Sequence, residues 1–109
     1  MTNCLFCKII AGSVPADIVY QDAKYIVFKD INPKAKVHLL LVPKLHVVSL
    51  DTIDSSNPEH IAMLSEMLLL LPSIAKQAGL AIGFRTTINT GVGGGQEIDH
   101  LHFHLLGGF

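Results

Sequence analysis

Charged residues are scarce in this sequence, and neither sign dominates. Only 16% of the 109 residues are charged, and the formal net charge is −1. Because nucleic acids and anionic membrane surfaces select for an excess of basic residues, we expect neither of them as a partner. Hydrophobic residues make up 50% of the sequence, which predicts a globular chain and excludes a disordered one.

A long hydrophobic run is also missing. The most apolar window, residues 67–71, is far shorter than the ~20 residues that a membrane-spanning helix needs. The opening MTNCLFCKIIAG lacks the basic start and the long apolar stretch that mark a signal peptide. We therefore expect a cytoplasmic protein with no membrane partner, and the length is typical of a single domain over residues 1–109.

Cysteine is limited to Cys4 and Cys7, three positions apart. One such pair does not make the disulfide framework of a small secreted domain, whereas the spacing is typical of a metal site or a redox pair. The spacing by itself leaves metal binding, redox chemistry and neither of these open.

Periodicity and breaker residues predict two helices and five strands. A short helix is expected over residues 3–12. A long one is expected over residues 55–79, with Pro58 in its first turn, a kink at Pro72 and a stop at Gly79. The predicted strands are residues 18–22, 24–30, 37–43, 84–90 and 100–106. Since one long helix interrupts the strands without regular βαβ alternation, the predicted fold is α+β with a five-stranded antiparallel sheet.

Three histidines alternate with apolar residues in the last predicted strand. Successive side chains of a strand point to opposite faces, and positions two apart are separated by ~6.6 Å. His100, His102 and His104 are therefore predicted to share one face. Incidental surface histidines, a metal site, and nucleophilic or acid–base chemistry on phosphorus are the three explanations for such a row.

A glycine-rich loop precedes the histidine row. Gly91, Gly93, Gly94 and Gly95 allow backbone amides to approach an anion closely. A glycine loop alone is weak support, because most such loops are simply turns. Next to three alternating histidines, it favours a phosphate ligand.

The segment HLHFHLL, residues 100–106, resembles the signature of the histidine triad nucleotide-binding proteins, in which three histidines alternate with apolar residues. The preceding NTGVGGGQ and the following Gly107-Gly108 are more similar to the phosphoramidase (Hint) branch than to the dinucleoside polyphosphate hydrolases. The segments CLFCKIIAGSVPADIVYQD, VFKDINPKAKVHLLLVPKLHV and INTGVGGGQE also occur in the order of the family. The resemblance thus extends over nearly the whole chain apart from the long helix.

The resemblance implies hydrolysis of purine nucleoside 5′-phosphoramidates through a covalent nucleotidyl-histidine intermediate, with no cofactor required for catalysis. His102 matches the nucleophile and His104 the residue that bonds the α-phosphate oxygens. His38 matches a residue that orients the triad, of which His100 is the first member. A dinucleoside polyphosphate hydrolase and a zinc-stabilised nucleotide-binding regulatory protein remain open as alternatives.

The resemblance also implies a nucleotide site. Asn89, Gly95, Gln96 and Glu97 match phosphate-holding residues, and Asp30 matches the carboxylate that accepts the ribose hydroxyls, with a turn cap as its alternative. The apolar residues that match the purine slot are Leu5, Phe6, Ile9, Val14, Phe28 and Ile31. Many relatives have a serine in place of Glu97 that helps to protonate the leaving amine, so the leaving group remains open.

Some bacterial relatives bind zinc through a cysteine pair such as Cys4 and Cys7, together with histidines that match His46 and His100. Such a set would form a tetrahedral structural site. Other relatives lack the cysteines and fold without a metal, so the resemblance leaves a structural zinc ion open. Because relatives form symmetric dimers, a homodimer that binds a purine nucleotide is expected.

Overall fold

The computed structural model describes residues 3–109. In chain order its elements are α1 (Leu5–Ile10), β1 (Ile18–Gln21), β2 (Tyr25–Lys29), β3 (Val37–Pro43), α2 (Pro58–Gln77), β4 (Arg85–Thr87) and β5 (Phe103–Gly107), with short 3-10 helices at Leu50–Thr52 and Val92–Gly94. The strands form one sheet in the order β1-β2-β3-β5-β4, and each neighbouring pair is antiparallel. The predicted α+β fold, with a five-stranded antiparallel sheet, one long helix and one short helix, is therefore confirmed.

The central strand β3 is buried on both faces, as its unbroken apolar sequence predicts. Leu39 and Leu41 pack in the core cluster that includes the buried residues of α2, whereas Leu40 packs in the cluster that includes α1. The sheet thus separates an α2 side from an α1 side. Phe103 and Leu105 of β5 pack on the α2 side, so the alternation of the strand directs His104 to the α1 side.

The long helix α2 begins at Pro58, three residues after the predicted start, and Asn57 is its N-cap. Asn57 accepts a hydrogen bond from the amide of Glu59, and Pro58 occupies the first turn, where no N–H donor is needed. The helix continues through Pro72, and Gly79 follows its end with a φ of 82°, the left-handed conformation that terminates helices. Within residues 3–109, no helix combines the length and the apolar character required to cross a membrane.

Two strands differ from the prediction by several residues, whereas β1 and β2 differ by one residue at one or both ends. The strand expected over residues 84–90 is confined to Arg85–Thr87, and the strand expected over residues 100–106 begins at Phe103. The pairing of β3 with β5 stops at Leu41 and Phe103. Continuing that register would place residue 101 opposite Pro43, which has no N–H to donate. The first two histidines of the row therefore lie before the strand.

The short helix α1 also differs from its prediction at its N-terminus. Its N-cap is Cys4, whose sulfur accepts a hydrogen bond from the amide of Cys7, and not a residue further upstream. A candidate metal ligand therefore also supports the first turn of the helix.

Met67 provides a test of how the α2 side of the core contributes to stability. Its side chain is 0% exposed, at the centre of the buried stripe of α2. We expect Met67→Ala to lower the free energy of unfolding by ~2–5 kcal/mol, because it removes buried apolar surface and leaves a cavity. Ser65→Ala, at an exposed position of the same helix, should change it by less than ~0.5 kcal/mol. Equal urea midpoints for both variants would contradict this assignment.

Candidate active site

Three histidine rings form one cluster on the α1 side of the sheet. The ring centroids of His102 and His104 are 5.0 Å apart, and the ring of His38 from β3 lies 5.2 Å from that of His104. His38 and His102 are buried, and His104 is half-buried. Residues that are 64 or more positions apart in sequence thus meet because β3 and β5 are neighbouring strands.

A chain of hydrogen bonds sets the tautomers of His38 and His104. The amide of Lys34 donates to Nδ1 of His38 at 3.0 Å, so the ring proton of neutral His38 must be on Nε2. That Nε2 lies 2.9 Å from Nδ1 of His104, which therefore accepts. His104 is left with its own proton on Nε2, where it is free to donate to a ligand.

His102 is held in the opposite tautomer. Its Nδ1 lies 2.7 Å from the backbone carbonyl of His100, and because a carbonyl can only accept, Nδ1 must carry the proton. Nε2 of His102 therefore has a free lone pair, which is what a nucleophile requires. Burial lowers the pKa of His102 from its ordinary value, so the ring is neutral at pH 7.

His104 is also neutral at pH 7. Burial, together with the nearby rings of His102 and His38, lowers the pKa of His104 to about 4. The nearby carboxylate of Asp30 opposes this shift; its Oδ2 is 3.4 Å from Nε2 of His38, and its Oδ1 accepts from the amide of Asn32 at 2.8 Å. Asp30 thus caps a turn and contacts the histidine cluster as well. Asp30, His38 and His104 are also near enough to share a metal ion, but a hydrogen bond already joins the two histidines.

His100 belongs to a different cluster from the other two histidines of the row. Its fully buried ring has Nε2 at 2.7 Å from the carbonyl of Pro43, so Nε2 carries the proton. Its Nδ1 directs a lone pair towards Cys4 Sγ at 3.4 Å and Cys7 Sγ at 3.7 Å. Since both ring nitrogens are engaged, neither is available to a phosphate. The residue contributes its carbonyl to His102 instead of its ring.

The four residues of the second cluster, here called the Cys2His2 cluster, are Cys4, Cys7, His46 and His100. Their ligand atoms all lie within 4.8 Å of one another, and Sγ of Cys7 is 3.2 Å from Nδ1 of His46. Zinc bonds of ~2.3 Å to sulfur and ~2.0–2.1 Å to nitrogen separate tetrahedral ligand atoms by about 3.3–3.8 Å. The three sulfur–nitrogen distances of 3.2, 3.4 and 3.7 Å are close to this range, so the donor set fits a tetrahedral zinc ion.

The surroundings of the Cys2His2 cluster also suit metal binding. The bond from His100 to the carbonyl of Pro43 fixes the tautomer that presents Nδ1 to an ion. A cavity of about 400 Å³, lined in part by Cys4, His46 and Glu97, provides a route to the cluster. Burial raises the pKa of the Cys7 thiol, so binding of a metal would release a proton from it.

The apolar residues that match the purine slot separate into two groups. Phe6, Ile9 and Phe28 are buried together between α1 and the sheet, and Val14 packs against them. The ring of Phe6 lies edge-on to that of His102, with centroids 5.0 Å apart. The other two residues, Leu5 and Ile31, are exposed, with 91% of Ile31 accessible to solvent. The first group would form the floor of a slot beside His102, and exposed residues are available for its rim.

Gln96 braces the glycine loop. Its Oε1 accepts from the amide of Gly91 at 2.8 Å, and its Nε2 donates to the carbonyls of Val48 at 2.7 Å and Ile98 at 2.9 Å. The side-chain amide is therefore engaged in holding the loop to the segment that follows β3. The side chain thus shapes the loop, and the match of Gln96 to phosphate holding stays a prediction.

The remaining residues matched to phosphate holding lie on the glycine loop or beside it. Gly91 and Gly95 have φ values of 69° and 79°, a conformation that favours glycine at both positions. Asn89 is half-buried just before the loop, and Glu97 is exposed just after it. The loop thus turns sharply at two glycines between these two polar side chains.

Sequence reasoning missed the backbone groups that orient the rings. The amide of Lys34 and the carbonyls of Pro43 and His100 determine where each imidazole carries its proton. Every non-proline residue has an amide and every residue a carbonyl, so no sequence pattern distinguishes these three. The edge contact of Phe6 with His102 was likewise not apparent beyond the match of Phe6 to an apolar slot.

Comparison with known proteins identifies the family. A family model described as "Scavenger mRNA decapping enzyme C-term binding" matches residues 3–108. Protein HitA of Neisseria gonorrhoeae is 53% identical over 107 residues, which cover 98% of this chain and 97% of that protein. A histidine triad protein from Clostridium difficile superposes with a TM-score of 0.93 at 40% identity, covering 100% of this chain and 93% of that one. The chain belongs to the histidine triad (HIT) family.

Other HIT proteins indicate the activities found among the relatives. The purine nucleoside phosphoramidase of Escherichia coli strain K12 is 42% identical over 105 residues, covering 95% of this chain and 86% of the enzyme. The 14 kDa zinc-binding protein of Zea mays is 41% identical over 104 residues, covering 95% and 80%. A Zn-bound histidine triad family protein from Mycobacterium smegmatis has a TM-score of 0.78 at 30% identity, covering 96% and 74%. The sequence-based predictions of the family and of a HIT enzyme are confirmed.

Gln96→Glu tests whether this side chain braces the glycine loop. The variant keeps the size and the acceptor for Gly91 but loses both donors, and it places a carboxylate against the carbonyls of Val48 and Ile98. We expect hydrogen exchange at the Gly91 amide to accelerate ~10-fold or more, because each lost bond contributes ~0.5–1.5 kcal/mol. Glu97→Gln, at the exposed neighbouring position, should leave that exchange rate unchanged. Equal protection of Gly91 in both variants would exclude the bracing role.

Proposed function

We propose that this HIT protein hydrolyses purine nucleoside 5′-phosphoramidates, with His102 as the nucleophile. The supporting observation is the pairing of opposite tautomers in neighbouring rings: Nε2 of His102 has a lone pair, and Nε2 of His104 has a proton. Phosphoramidates combine an electrophilic phosphorus with anionic oxygens. Their cleavage therefore uses the lone pair of His102 on the phosphorus and the N–H of His104 on an oxygen. The similarity to a relative named purine nucleoside phosphoramidase favours this substrate class.

The proposed reaction has two steps at the α-phosphorus. Nε2 of His102 attacks the phosphorus, the P–N bond to the amine breaks, and the departing amine takes up a proton from solvent. The N–H of His104 donates to a non-bridging oxygen as charge shifts in the transition state. Water then attacks the phosphorus of the nucleotidyl-histidine, and the bond from phosphorus to Nε2 breaks. This releases the nucleoside 5′-monophosphate, returns a proton to solvent and restores neutral His102.

The polarity of the surroundings suits the charge that develops on His102. When Nε2 bonds to phosphorus the imidazole ring becomes more positive, and its Nδ1–H becomes a stronger donor to the carbonyl of His100. His38 acts through His104, because its Nε2–H keeps the accepting nitrogen of His104 free of a proton. His100 contributes through its backbone carbonyl, which makes it a positioning residue.

We place the nucleotide on the α1 side of the sheet. The purine would pack against the buried group of Phe6, Ile9, Val14 and Phe28, with Leu5 and Ile31 at its rim. Since Oδ1 of Asp30 already accepts from Asn32, Oδ2 is its oxygen available to the ribose hydroxyls. Asn89, Gly95, Gln96 and Glu97 are the candidates for contact with the phosphate, and the side chain of Gln96 also keeps their loop in place.

A dinucleoside polyphosphate hydrolase would employ the same nucleophile with a different leaving group. Turnover of adenosine 5′-phosphoramidate and of diadenosine triphosphate, measured side by side, distinguishes the two activities. A higher kcat/KM for the phosphoramidate supports the proposal, and a higher value for the triphosphate overturns it. If neither substrate is cleaved although nucleotide binds, the third alternative, a nucleotide-binding regulatory protein, is favoured.

His102→Ala tests the nucleophile. We expect kcat for adenosine 5′-phosphoramidate to fall by at least ~10³-fold, a size typical of the loss of a nucleophile. Acid quench followed by mass spectrometry of the wild-type protein should detect a nucleotide attached to the peptide that contains His102. His60→Ala is the matched control, because His60 bonds the turn before α2 and not the cluster.

An unchanged rate in His102→Ala, with circular dichroism and the melting temperature also unchanged, would contradict this assignment. A nucleotide attached to another histidine would contradict it as well.

The pH dependence follows from His104, which faces His102, His38 and Asp30. Its pKa of about 4 lies below the ordinary histidine value of 6.5, so the productive neutral form persists in mild acid. Protonation would place a second proton on Nδ1 and break the bond from His38. Since kcat/KM reports the free enzyme, we expect protonation of His104 to cause no fall in kcat/KM between about pH 7.5 and about pH 6. A fall in kcat/KM below about pH 6.5 whose midpoint changes in His104→Gln would contradict the lowered pKa of His104.

The same lowered pKa predicts a loss of stability in acid. The unfolded chain, in which histidine has its ordinary pKa, binds this proton at higher pH than the folded chain does. The contribution of His104 is therefore fully present above about pH 6.5 and decreases as the pH falls towards about 4.

We also propose that the Cys2His2 cluster holds a structural zinc ion. The fit of its sulfur–nitrogen distances supports this, as do the relatives named as zinc-binding and Zn-bound. The ion would join α1, the segment after β3 and the segment before β5, and no step of the proposed reaction requires it. Ligation needs reduced thiols, which suits the cytoplasmic location expected from the sequence.

Metal analysis of the purified protein tests the zinc site. We expect one zinc ion per chain in the wild type and none in the Cys4→Ser/Cys7→Ser double variant. Lys8→Ser, at an exposed position between α1 residues that face the core, should keep its zinc. Zinc retained by the double variant, or absent from wild-type protein purified without a chelator, would exclude the site.

We also propose that the protein forms a symmetric homodimer. The helix α2 exposes three large apolar side chains, Ile61, Leu68 and Leu69, at 49%, 53% and 77%. The spacing of these residues places them on one side of the helix, and β4 lies at an edge of the sheet. Both features are typical of a surface that pairs with a second copy. Sedimentation equilibrium should give twice the chain mass of 11.8 kDa.

A further inference from the structure

We propose that the Cys2His2 cluster positions the nucleophile, so that metal binding and the orientation of His102 are energetically coupled. This inference rests on the proposed zinc site and on the proposed role of His102. It adds that the metal ligands are positioning residues for the reaction, in addition to stabilising the fold.

The segment that carries His102 is not held by the sheet. Pairing between β3 and β5 stops at Leu41 and Phe103, and β5 begins at Phe103. Residues 100–102 therefore lack the regular hydrogen bonds that fix His104. The orientation of the His102 ring must depend on other contacts, and these lead to the Cys2His2 cluster.

The first connection is His100 itself. Its carbonyl accepts the Nδ1–H of His102 at 2.7 Å, while its ring directs Nδ1 to the two thiols and Nε2 to the carbonyl of Pro43. One buried residue thus connects the two clusters, through its ring to the thiols and through its carbonyl to His102. A change in the ligation of its ring changes the constraint on the carbonyl that fixes the tautomer of His102.

The second connection involves the peptide group between His100 and Leu101. Because a peptide group is planar, the carbonyl of His100 and the N–H of Leu101 move as one unit. That N–H donates to the carbonyl of Val47 at 2.7 Å, and Val47 directly follows His46. Two ligands of the cluster therefore restrain the peptide that orients His102, one from each side.

The third connection is Phe6 of α1, which lies between Cys4 and Cys7 in the sequence. Its buried ring contacts His102 edge-on, with an angle of 89° between the ring planes. Cys4 also caps α1 through its sulfur, which accepts from the amide of Cys7 at 3.3 Å. The position of both thiols thus determines where α1 places Phe6 against the nucleophile.

His104 has none of these three connections. Its tautomer depends on His38 and the amide of Lys34, and it lies within β5. The two catalytic rings are therefore controlled separately, one by the metal cluster and the other by the sheet. His102→Ala and His104→Ala are therefore a matched pair, because only the first removes a residue that is connected to the Cys2His2 cluster.

The experiment measures the affinity of the protein for Zn²⁺ by competition with a chelator, in the wild type, His102→Ala and His104→Ala. Coupling is reciprocal, so a metal that fixes His102 must bind more weakly when His102 is absent. We expect His102→Ala to weaken Zn²⁺ binding about 5-fold or more, the lower end of typical coupling. His104→Ala should change it by less than about 2-fold, because His104 contacts His102 but takes part in none of the three connections to the cluster. Equal affinities in the three proteins would overturn the proposal.

A second measurement applies to the Cys4→Ser/Cys7→Ser double variant. We expect kcat to fall about 10-fold or more with KM nearly unchanged, because the nucleotide still binds while His102 loses its fixed tautomer. The ¹⁵N spectrum of His102 should then show both tautomers in place of one. A single unchanged tautomer with unchanged kcat would overturn the proposal, and if this variant does not fold, the comparison of Zn²⁺ affinities decides alone.

The coupling between zinc and His102 and the hydrolysis of phosphoramidates can be refuted independently. Neither the Zn²⁺ competition nor the ¹⁵N spectrum depends on turnover, so the coupling can be found even if phosphoramidates are not substrates. Conversely, a phosphoramidase whose Zn²⁺ affinity does not depend on His102 retains the proposed function and refutes the coupling.

Discussion

The hydrogen bond from Nδ1–H of His102 to the carbonyl of His100 is the interaction on which the candidate site depends. A neutral imidazole has one proton and two nitrogens, so fixing the proton on Nδ1 makes Nε2 a nucleophile. The bond is short and buried, where water does not compete for either partner. The proposed chemistry on phosphorus and the proposed link to the metal cluster both follow from this one contact.

Burial provides the second requirement, which is that the histidines be uncharged. Desolvation lowers the pKa of His102 and brings that of His104 to about 4, so a lone pair and an N–H donor are present together at neutral pH. Protonated rings in the same place would offer donors only. The ring of Phe6 therefore supports the proposed chemistry by helping to bury His102, and it contributes to the core by packing against Phe28.

The two sides of the sheet differ in composition, because one carries the larger apolar core and the other carries the polar clusters. On the α2 side, Met67, Phe103 and Leu105 form a continuous apolar core. On the α1 side, a smaller apolar cluster adjoins both groups of polar residues, the histidines around His102 and the Cys2His2 cluster. The strand β3 contributes to both sides, since Leu39 and Leu41 alternate with His38 and Leu40. Such alternation lets one strand support the fold and the site at once.

The sequence by itself determined the features that depend on near neighbours. Alternation placed Leu105 and His104 on opposite faces, Pro58 marked the first turn of α2, and the family resemblance brought Cys4 and His46 into one set. Only the tertiary structure decided that β5 begins at Phe103, that Gln96 braces its loop, and which nitrogen of each imidazole carries the proton. The physical reason is that helix caps and strand alternation follow from regular backbone geometry, whereas the tautomers depend on individual backbone groups that no regular geometry assigns to a ring. The carbonyl that fixes His100 is 57 positions away, and the one that fixes His102 is two positions away in the segment before β5. Any backbone carbonyl can accept a hydrogen bond, so only the fold selects which one does.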